Sequence, residues 1–505
     1  MKNIITLLFL FVFVSNYGQK YQSVAKKYAD ESFELFKEFL ALSNDANYSE
    51  DLIPNIAWCK KHFSALDFTI TELDTPTLPL LLAEKVIDKK LPTILVYLQI
   101  DGQPVDFSQW NQESPWKAVL KKSDENGNWQ KIPWENLYTN YDPNDRIFAR
   151  STADSKGAAI MFLSALKAAN DLNITPNFNI KIIMDFEEEL GSPELPKAVI
   201  KHKEALAADA LIIFDGPLHE SGLPTLKFGA RGIATITLST YGPVVAQHSG
   251  HYGNYAPNPV FRMSQVLASM KDQDGRVILP GYYKGVVIDQ AAQKILEAIP
   301  DDEAKMKDRM QINSTDAVGD TYQNSIQYPS LNIRGIKSGW VGNEVRTIVP
   351  PKCVAEIDIR LVKESDPTYL IGLVKKHITD MGYIILDHEP TKEERLRYDK
   401  IMTFSSEISY GAFRTAFDSP VGKWLSKSLK NTYGKEPIKV RTTGGSIPIA
   451  PFVNTLGIPA VSVPTVNLDN NQHSPNENIR LGNYVSGIAT FIGILAEPYQ
   501  PLSSK

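Results

Sequence analysis

The chain has 505 residues, 43% of them hydrophobic and 22% charged, which is the composition of a globular protein too long for one core and points to two domains. Its 53 Lys and Arg against 58 Asp and Glu leave a net charge of -5, so nothing electrostatic points to nucleic acid or an anionic membrane as partner. With only Cys59 and Cys353, and no C-x-x-C spacing, neither a disulfide framework nor a cysteine metal site is expected.

Taken in chain order, residues 1–19 (MKNIITLLFLFVFVSNYGQ) carry one lysine, an apolar run from Ile4 to Val14 and then small and polar residues. This is the layout of a cleaved signal peptide, too short to span a bilayer, and it predicts a secreted or periplasmic protein with no membrane span in its mature form. Residues 21–41 and 50–65 have the spacing of amphipathic helices. Strands follow at 68–73, 79–85 and 93–98, then a helix at 156–170, a strand at 178–186, a helix at about 193–207 and a strand at 210–214. Apolar strands alternating with helices predict an α/β fold, a mostly parallel, doubly wound sheet. From about Leu226 the order becomes β-α-β-β-α-β, which reads as an inserted α+β lid or dimerisation domain over 226–412. The helix, strand and helix signals of 413–505 resume the first pattern, so a catalytic domain is expected from 20–225 together with 413–505.

Acidic residues and one histidine fall just beyond the ends of the expected strands. Asp101 follows the strand ending at Leu98, Asp154 precedes a helix, Glu187, Glu188 and Glu189 follow Phe186, Asp215 follows ALIIF, and His473 follows AVSVP. Loops beyond the carboxyl ends of the strands of an open α/β sheet converge on one crevice. Singly, each has an ordinary reading as a helix cap, a solvated loop or a surface histidine. Together, carboxylates crowded in one crevice raise one another's pKa unless a multivalent cation neutralises them. A carboxylate-rich set with imidazole suits one or two Zn2+ ions, with Mn2+ or Co2+ as alternatives. GGSIP lacks the last glycine of a G-x-S-x-G elbow, and there is no glycine-rich phosphate loop.

The motifs PTILVYLQIDGQP, ARSTADSKGA, DFEEELGSPEL, IIFDGP, GARGI, QHSGHYGN, RTIVPP, IDIRLV, GGSIP and HSPNE occur in this order between about residues 25 and 500. In that order they resemble the M20 family of metallopeptidases, within it the carnosinase-like, cytosolic non-specific dipeptidase-like subgroup. The resemblance implies a two-domain subunit that forms a homodimer through its lid. It implies that Asp154 bridges two metals, that Glu189 and His473 complete one site, and that Asp215 and residue 99 complete the other. Glu188 would be the general base, taking a proton from the attacking water and returning it to the leaving amine. Asp101 would orient the ligand at 99, and the Asp154–Ser155 bond would be cis. His248 would stabilise the oxyanion, and Thr347, Arg360 and Ser446, the last from the catalytic domain, would hold the substrate, with Arg360 on its carboxylate.

Two positions depart from the family. Ser155 stands where many relatives have a second aspartate, and Gln99 stands where the family has histidine. A neutral amide oxygen binds zinc less well than imidazole, so the metal held by Gln99, Asp154 and Asp215 is expected to be the looser one. The resemblance implies a hydrolase of peptide bonds in small substrates, a dipeptidase or exopeptidase. The alternatives are an N-acyl amino acid amidohydrolase and, on the strength of Gln99, a binding protein without catalysis. Retention of Glu188, which a binding protein would not need, favours the enzyme.

Overall fold

The computed structural model describes residues 21–139 and 141–501, and the signal segment expected at residues 1–19 lies outside them. The chain divides into two compact units, one made of the residues up to Gly229 with Arg414–Arg441 and the residues from Pro451 on, the other of Ala230–Phe413 with Thr442–Ala450.

The first unit is built on an eight-stranded sheet in the order Thr69–Leu73, Leu80–Lys85, Asn179–Asp185, Thr93–Gln99, Ala210–Ile213, Ala460–Ser462, Thr225–Lys227, Ile438–Val440. The four strands from Asn179–Asp185 to Ala460–Ser462 run parallel. Their sequences are near-continuous apolar runs because both faces are covered: every residue of Asn179–Asp185 and Ala210–Ile213 is buried. The helix that ends at Leu40 and the helices Lys156–Asp171, Pro420–Tyr433 and Leu481–Ala496 pack on one another. Phe33 and Phe36 stack on Tyr484 at 5.5 and 5.2 Å, while Ser32 and Tyr484 share a hydrogen bond of 2.7 Å. Phe214, just beyond a central strand, packs on Phe491 with ring centroids 4.0 Å apart and planes tilted by 31°, which ties the sheet to that layer.

In the second unit Gly229–Tyr241 is central, flanked by Lys352–Leu361 and Ile401–Tyr410, with Asn332–Lys337 and Ile384–Leu386 at the edges. Ala234, Ile236 and Leu238 alternate with threonines and are buried against Met263 and Val266 of the helix Pro259–Ala268 and Leu370, Val374 and Ile378 of Pro367–Asp380. Three differences from the sequence reading stand out. Ile401–Tyr410 is an additional strand, antiparallel to Gly229–Tyr241. The helix expected to about residue 207 is confined to Leu195–Lys201. Ser446, expected to act from the catalytic domain, lies instead in the inserted unit, because Thr443–Ser446 pairs in parallel with Gly229–Tyr241. Among the described residues no helix is long and apolar enough to cross a membrane.

Candidate active site

Parallel strands bring their carboxyl ends to one edge of the sheet, and register decides which residues meet there. Gln99 lies opposite Asp185, and Tyr97 opposite both Ile183 and Ile213, so the loops carrying Asp101, Glu187–Glu189 and Asp215 leave side by side. Asn44 locks the first of these loops: its side chain donates to Ile100 O at 2.6 Å and to Ser151 Oγ at 3.0 Å, and its carbonyl accepts from the Gly102 N–H at 2.8 Å. Asp185 locks the second, accepting from Tyr97 Oη at 2.9 Å, Ser192 Oγ at 2.6 Å and the Glu187 N–H at 3.0 Å.

The short 3-10 turn Glu188–Leu190, capped by Glu187, sends Glu188 and Glu189 in different directions, since successive side chains on such a turn point about 120° apart. Glu187 accepts from Thr77 Oγ1 at 2.5 Å. Glu189 accepts from Gln103 Nε2 at 2.7 Å and lies 3.4 Å from His473 Nε2. Its backbone N–H donates to Asp101 Oδ2 at 2.9 Å. Asp154 follows the strand Arg146–Phe148, ahead of the helix Lys156–Asp171; its Oδ2 is 3.0 Å from His473 Nε2, and the Asp154–Ser155 bond is cis. One ligand atom each from Asp154, Glu189 and His473 lies within 4.8 Å of the others, and Glu188 stands outside that group. His473 is held at φ 61°, a conformation uncommon for a residue with a side chain.

A further carboxylate, to which the sequence reading assigned no role, holds the Asp154 loop. Glu477 is fully buried; Oε1 accepts from the N–H groups of Ala153 and Asp154 at 2.9 and 3.0 Å, and Oε2 accepts from Ser151 N–H at 3.0 Å and Arg150 Nη1 at 2.8 Å. The signal was present in HSPNE, four residues after His473, but its partners lie more than three hundred positions away in the chain. Gly157 completes the loop: a Cβ there would meet Thr152 O at 2.1 Å. Gly157→Ala is therefore expected to destabilise the protein by about 1–3 kcal/mol through overpacking against a fixed carbonyl. It should also lower bound metal, readable by urea unfolding and metal analysis; an unchanged midpoint would argue against a rigid loop.

Electrostatically the site is a crowd of like charges. Burial first, then neighbouring Glu189, Asp101, Asp215 and Asp154, pushes the Glu188 carboxyl well above its usual range. Burial and then Asp185 and Glu189 do the same to Asp101, and burial with Asp154 raises Glu189. The hydrogen bond to Asp154 is the chief cause that holds the His473 imidazole above its ordinary value. Such a set is relieved by a bound cation, and the atoms fit one: Glu189 Oε1 is buried and accepts no hydrogen bond among the described residues. Asp154, Glu189 and His473 would hold it. On the other side of Asp154 the groups differ. Gln99 donates its amide to Asp154 Oδ1 at 2.5 Å, and Ser155 Oγ donates to Asp215 Oδ1 at 3.0 Å. Burial and then Asp154 push the Asp215 carboxyl up to about 6, and the charge of Lys227, half-buried and close by, opposes that rise.

The remaining expected residues lie in the inserted unit, in two groups. His248 pairs with Ile348 across a short ladder, and the Ser249 N–H donates to Thr347 O at 3.0 Å, so His248 and Thr347 are neighbours and both exposed. His248 Nδ1 accepts from the Gly250 N–H at 3.0 Å, which places the proton of the neutral ring on Nε2 as a donor. Arg360 donates from Nη1 to Ser446 Oγ at 2.9 Å and lies 3.4 Å from Asp358.

Comparison with known proteins agrees with this geometry. The sequence profile of peptidase family M20/M25/M40 matches residues 119–497. The chain is 27% identical over 435 residues to the Cys-Gly metallodipeptidase dug1 of Schizosaccharomyces pombe, covering 83% of this chain and 82% of that protein. It is 24% identical to the human Beta-Ala-His dipeptidase over 93% of this chain and 90% of the relative. Among solved structures, the M20 family metallo-carboxypeptidase Sso-CP2 from Sulfolobus solfataricus superposes with a TM-score of 0.76 at 26% identity, over 92% of this chain and 99% of that one. Human carnosine dipeptidase 1 shares the fold, with a TM-score of 0.75 at 22% identity over 95% and 98% of the two chains. The profile spans well over half of the sequence, and the carboxylates and imidazole that such a peptidase needs converge at one sheet edge: this chain belongs to peptidase family M20/M25/M40 and is a metal-dependent peptidase.

Proposed function

We propose that the protein is a zinc-dependent dipeptidase that hydrolyses the amide bond of a dipeptide with a free carboxylate. The observation that carries the reading is the turn Glu188–Leu190, which sends Glu189 to the Asp154 and His473 group and leaves Glu188 outside it. A cation held by Asp154, Glu189 and His473 would polarise the scissile carbonyl and lower the pKa of the attacking water. Glu188 takes the proton from that water and delivers it to the leaving nitrogen. Asp101, fixed by the Glu189 N–H, positions the first loop, and Gln99 and Asp215 flank Asp154 on its other side. His248, with its Nε2 proton, donates to the developing oxyanion. Arg360, with Ser446 and Thr347, takes the substrate carboxylate. The dug1 metallodipeptidase and the Beta-Ala-His dipeptidase match this chain over most of their length, which supports the same class of substrate here. The protein would act as a homodimer through its inserted unit and, after loss of residues 1–19, outside the cytoplasm.

The test is a panel of dipeptides and N-acyl amino acids offered to protein stripped with chelator and reloaded with zinc, manganese or cobalt. Hydrolysis of dipeptides restored by zinc is expected; turnover confined to N-acyl amino acids would overturn the reading. Arg360→Ala should lower kcat/KM on dipeptides about ten- to hundredfold, the worth of hydrogen bonds to a charged group, mainly through KM. It should act weakly on a substrate whose carboxylate is amidated.

A further inference from the structure

On the Asp215 side of Asp154 the polar groups are donors. The Gln99 amide meets Asp154 Oδ1 through its N–H, so its own oxygen, buried and accepting no hydrogen bond among the described residues, is turned away from that carboxylate. Turning the amide over would set two oxygens 2.5 Å apart, tolerable only with a cation between them. Ser155 offers a hydroxyl hydrogen to Asp215. Lys227, the last residue of the strand Thr225–Lys227, brings Nζ to 2.9 Å from the point that a Cβ on Gly216 would occupy, immediately after Asp215 in the chain. A metal site needs converging lone pairs, and an ammonium supplies none. It supplies positive charge beside the carboxylate and repels a divalent ion that approaches the same place.

We propose that Lys227 takes the place of a second metal: the positive charge of its ammonium near Asp215, with the donors of Gln99 and Ser155, offsets the carboxylates on this side of Asp154, so that the protein holds a single tight metal at Asp154, Glu189 and His473. The inference rests on the metal-peptidase reading of this site and deepens it. Gln99 and Lys227 act in the same sense, one withdrawing an imidazole lone pair and the other placing an ammonium where a cation would sit. Restoring the imidazole alone therefore does not restore a second position.

The test counts zinc bound to the full chain after saturation with zinc chloride and gel filtration, and follows binding by calorimetry. The unaltered protein and Gln99→His should each hold one tight equivalent, and Gln99→His with Lys227→Met should hold two. Lys227→Met alone should tighten the weak second binding at least tenfold. Two tight equivalents in the unaltered protein or in Gln99→His, or an unchanged second dissociation constant in Lys227→Met, would overturn the proposal. The equivalent at Asp154, Glu189 and His473 reports in every variant that the fold is intact. Because metal is counted without substrate, failure of the dipeptidase reading leaves the count standing, and a count of two leaves dipeptidase activity untouched.

Discussion

Glu188→Gln is expected to bind metal as the unaltered protein does and to hydrolyse dipeptides about 10²–10⁴-fold more slowly, the usual worth of a positioned general base. The substitution keeps size and hydrogen-bonding capacity and removes only the ability to accept a proton. Glu188 lies outside the Asp154, Glu189 and His473 group, so the metal content should not change. Its surroundings already raise its proton affinity through burial and four neighbouring carboxylates. A carboxylate so placed is a stronger base than a solvated one, and the neighbours that a cation neutralises are those that would otherwise keep it protonated. Metal analysis beside single-substrate kinetics reads both effects. Full activity in this variant would remove Glu188 from the mechanism, whereas loss of metal would make it a ligand.

The second large effect is structural. Glu477→Ala is expected to cost about 3–5 kcal/mol, because it leaves Arg150 buried without its partner and removes the acceptor of three backbone N–H groups. Those N–H groups belong to Ser151, Ala153 and Asp154, so the loop that presents Asp154 loses its anchor along with the ion pair. Zinc content and activity should fall together, with the unfolding midpoint well below that of Gly157→Ala. Glu477→Gln keeps one acceptor oxygen and should fall between the two. Equal stability of Glu477→Ala and the unaltered protein would show that the loop is held by other contacts.

Much of the catalytic unit could be read from the chain because its strands are buried on both faces and write themselves as apolar runs, as at Thr93–Gln99 and Asn179–Asp185. The acids at their ends were visible for the same reason: an apolar run that stops at a carboxylate marks a sheet edge. Ile401–Tyr410 escaped because Ser405 to Ser409 are exposed and the polar run Ser405–Glu407 interrupts its apolar pattern. The strand owes its existence to pairing with Gly229–Tyr241, not to its own pattern. Glu477, Asp185 and Lys227 were missed because their meaning is a set of contacts. Glu477 works through residues more than three hundred positions earlier, and Lys227 reads as an ordinary strand-end lysine until Gly216 is found beside it. At position 99 the departure from histidine was legible, but the direction of the amide, N–H toward Asp154, was not.

An insertion that only interrupts its host is entered once and left once. Here the chain passes between its two units at 229/230, 413/414, 441/442 and 450/451. The return for Thr442–Ala450 delivers Ser446 to Arg360. Deleting 230–413 would therefore strip Thr443–Ser446 of the strand it pairs with, and expressing 230–413 alone would lack the hydroxyl that meets Arg360. Neither half is a self-sufficient gene fragment, and shuffling this lid onto another catalytic unit would require moving two segments of sequence together.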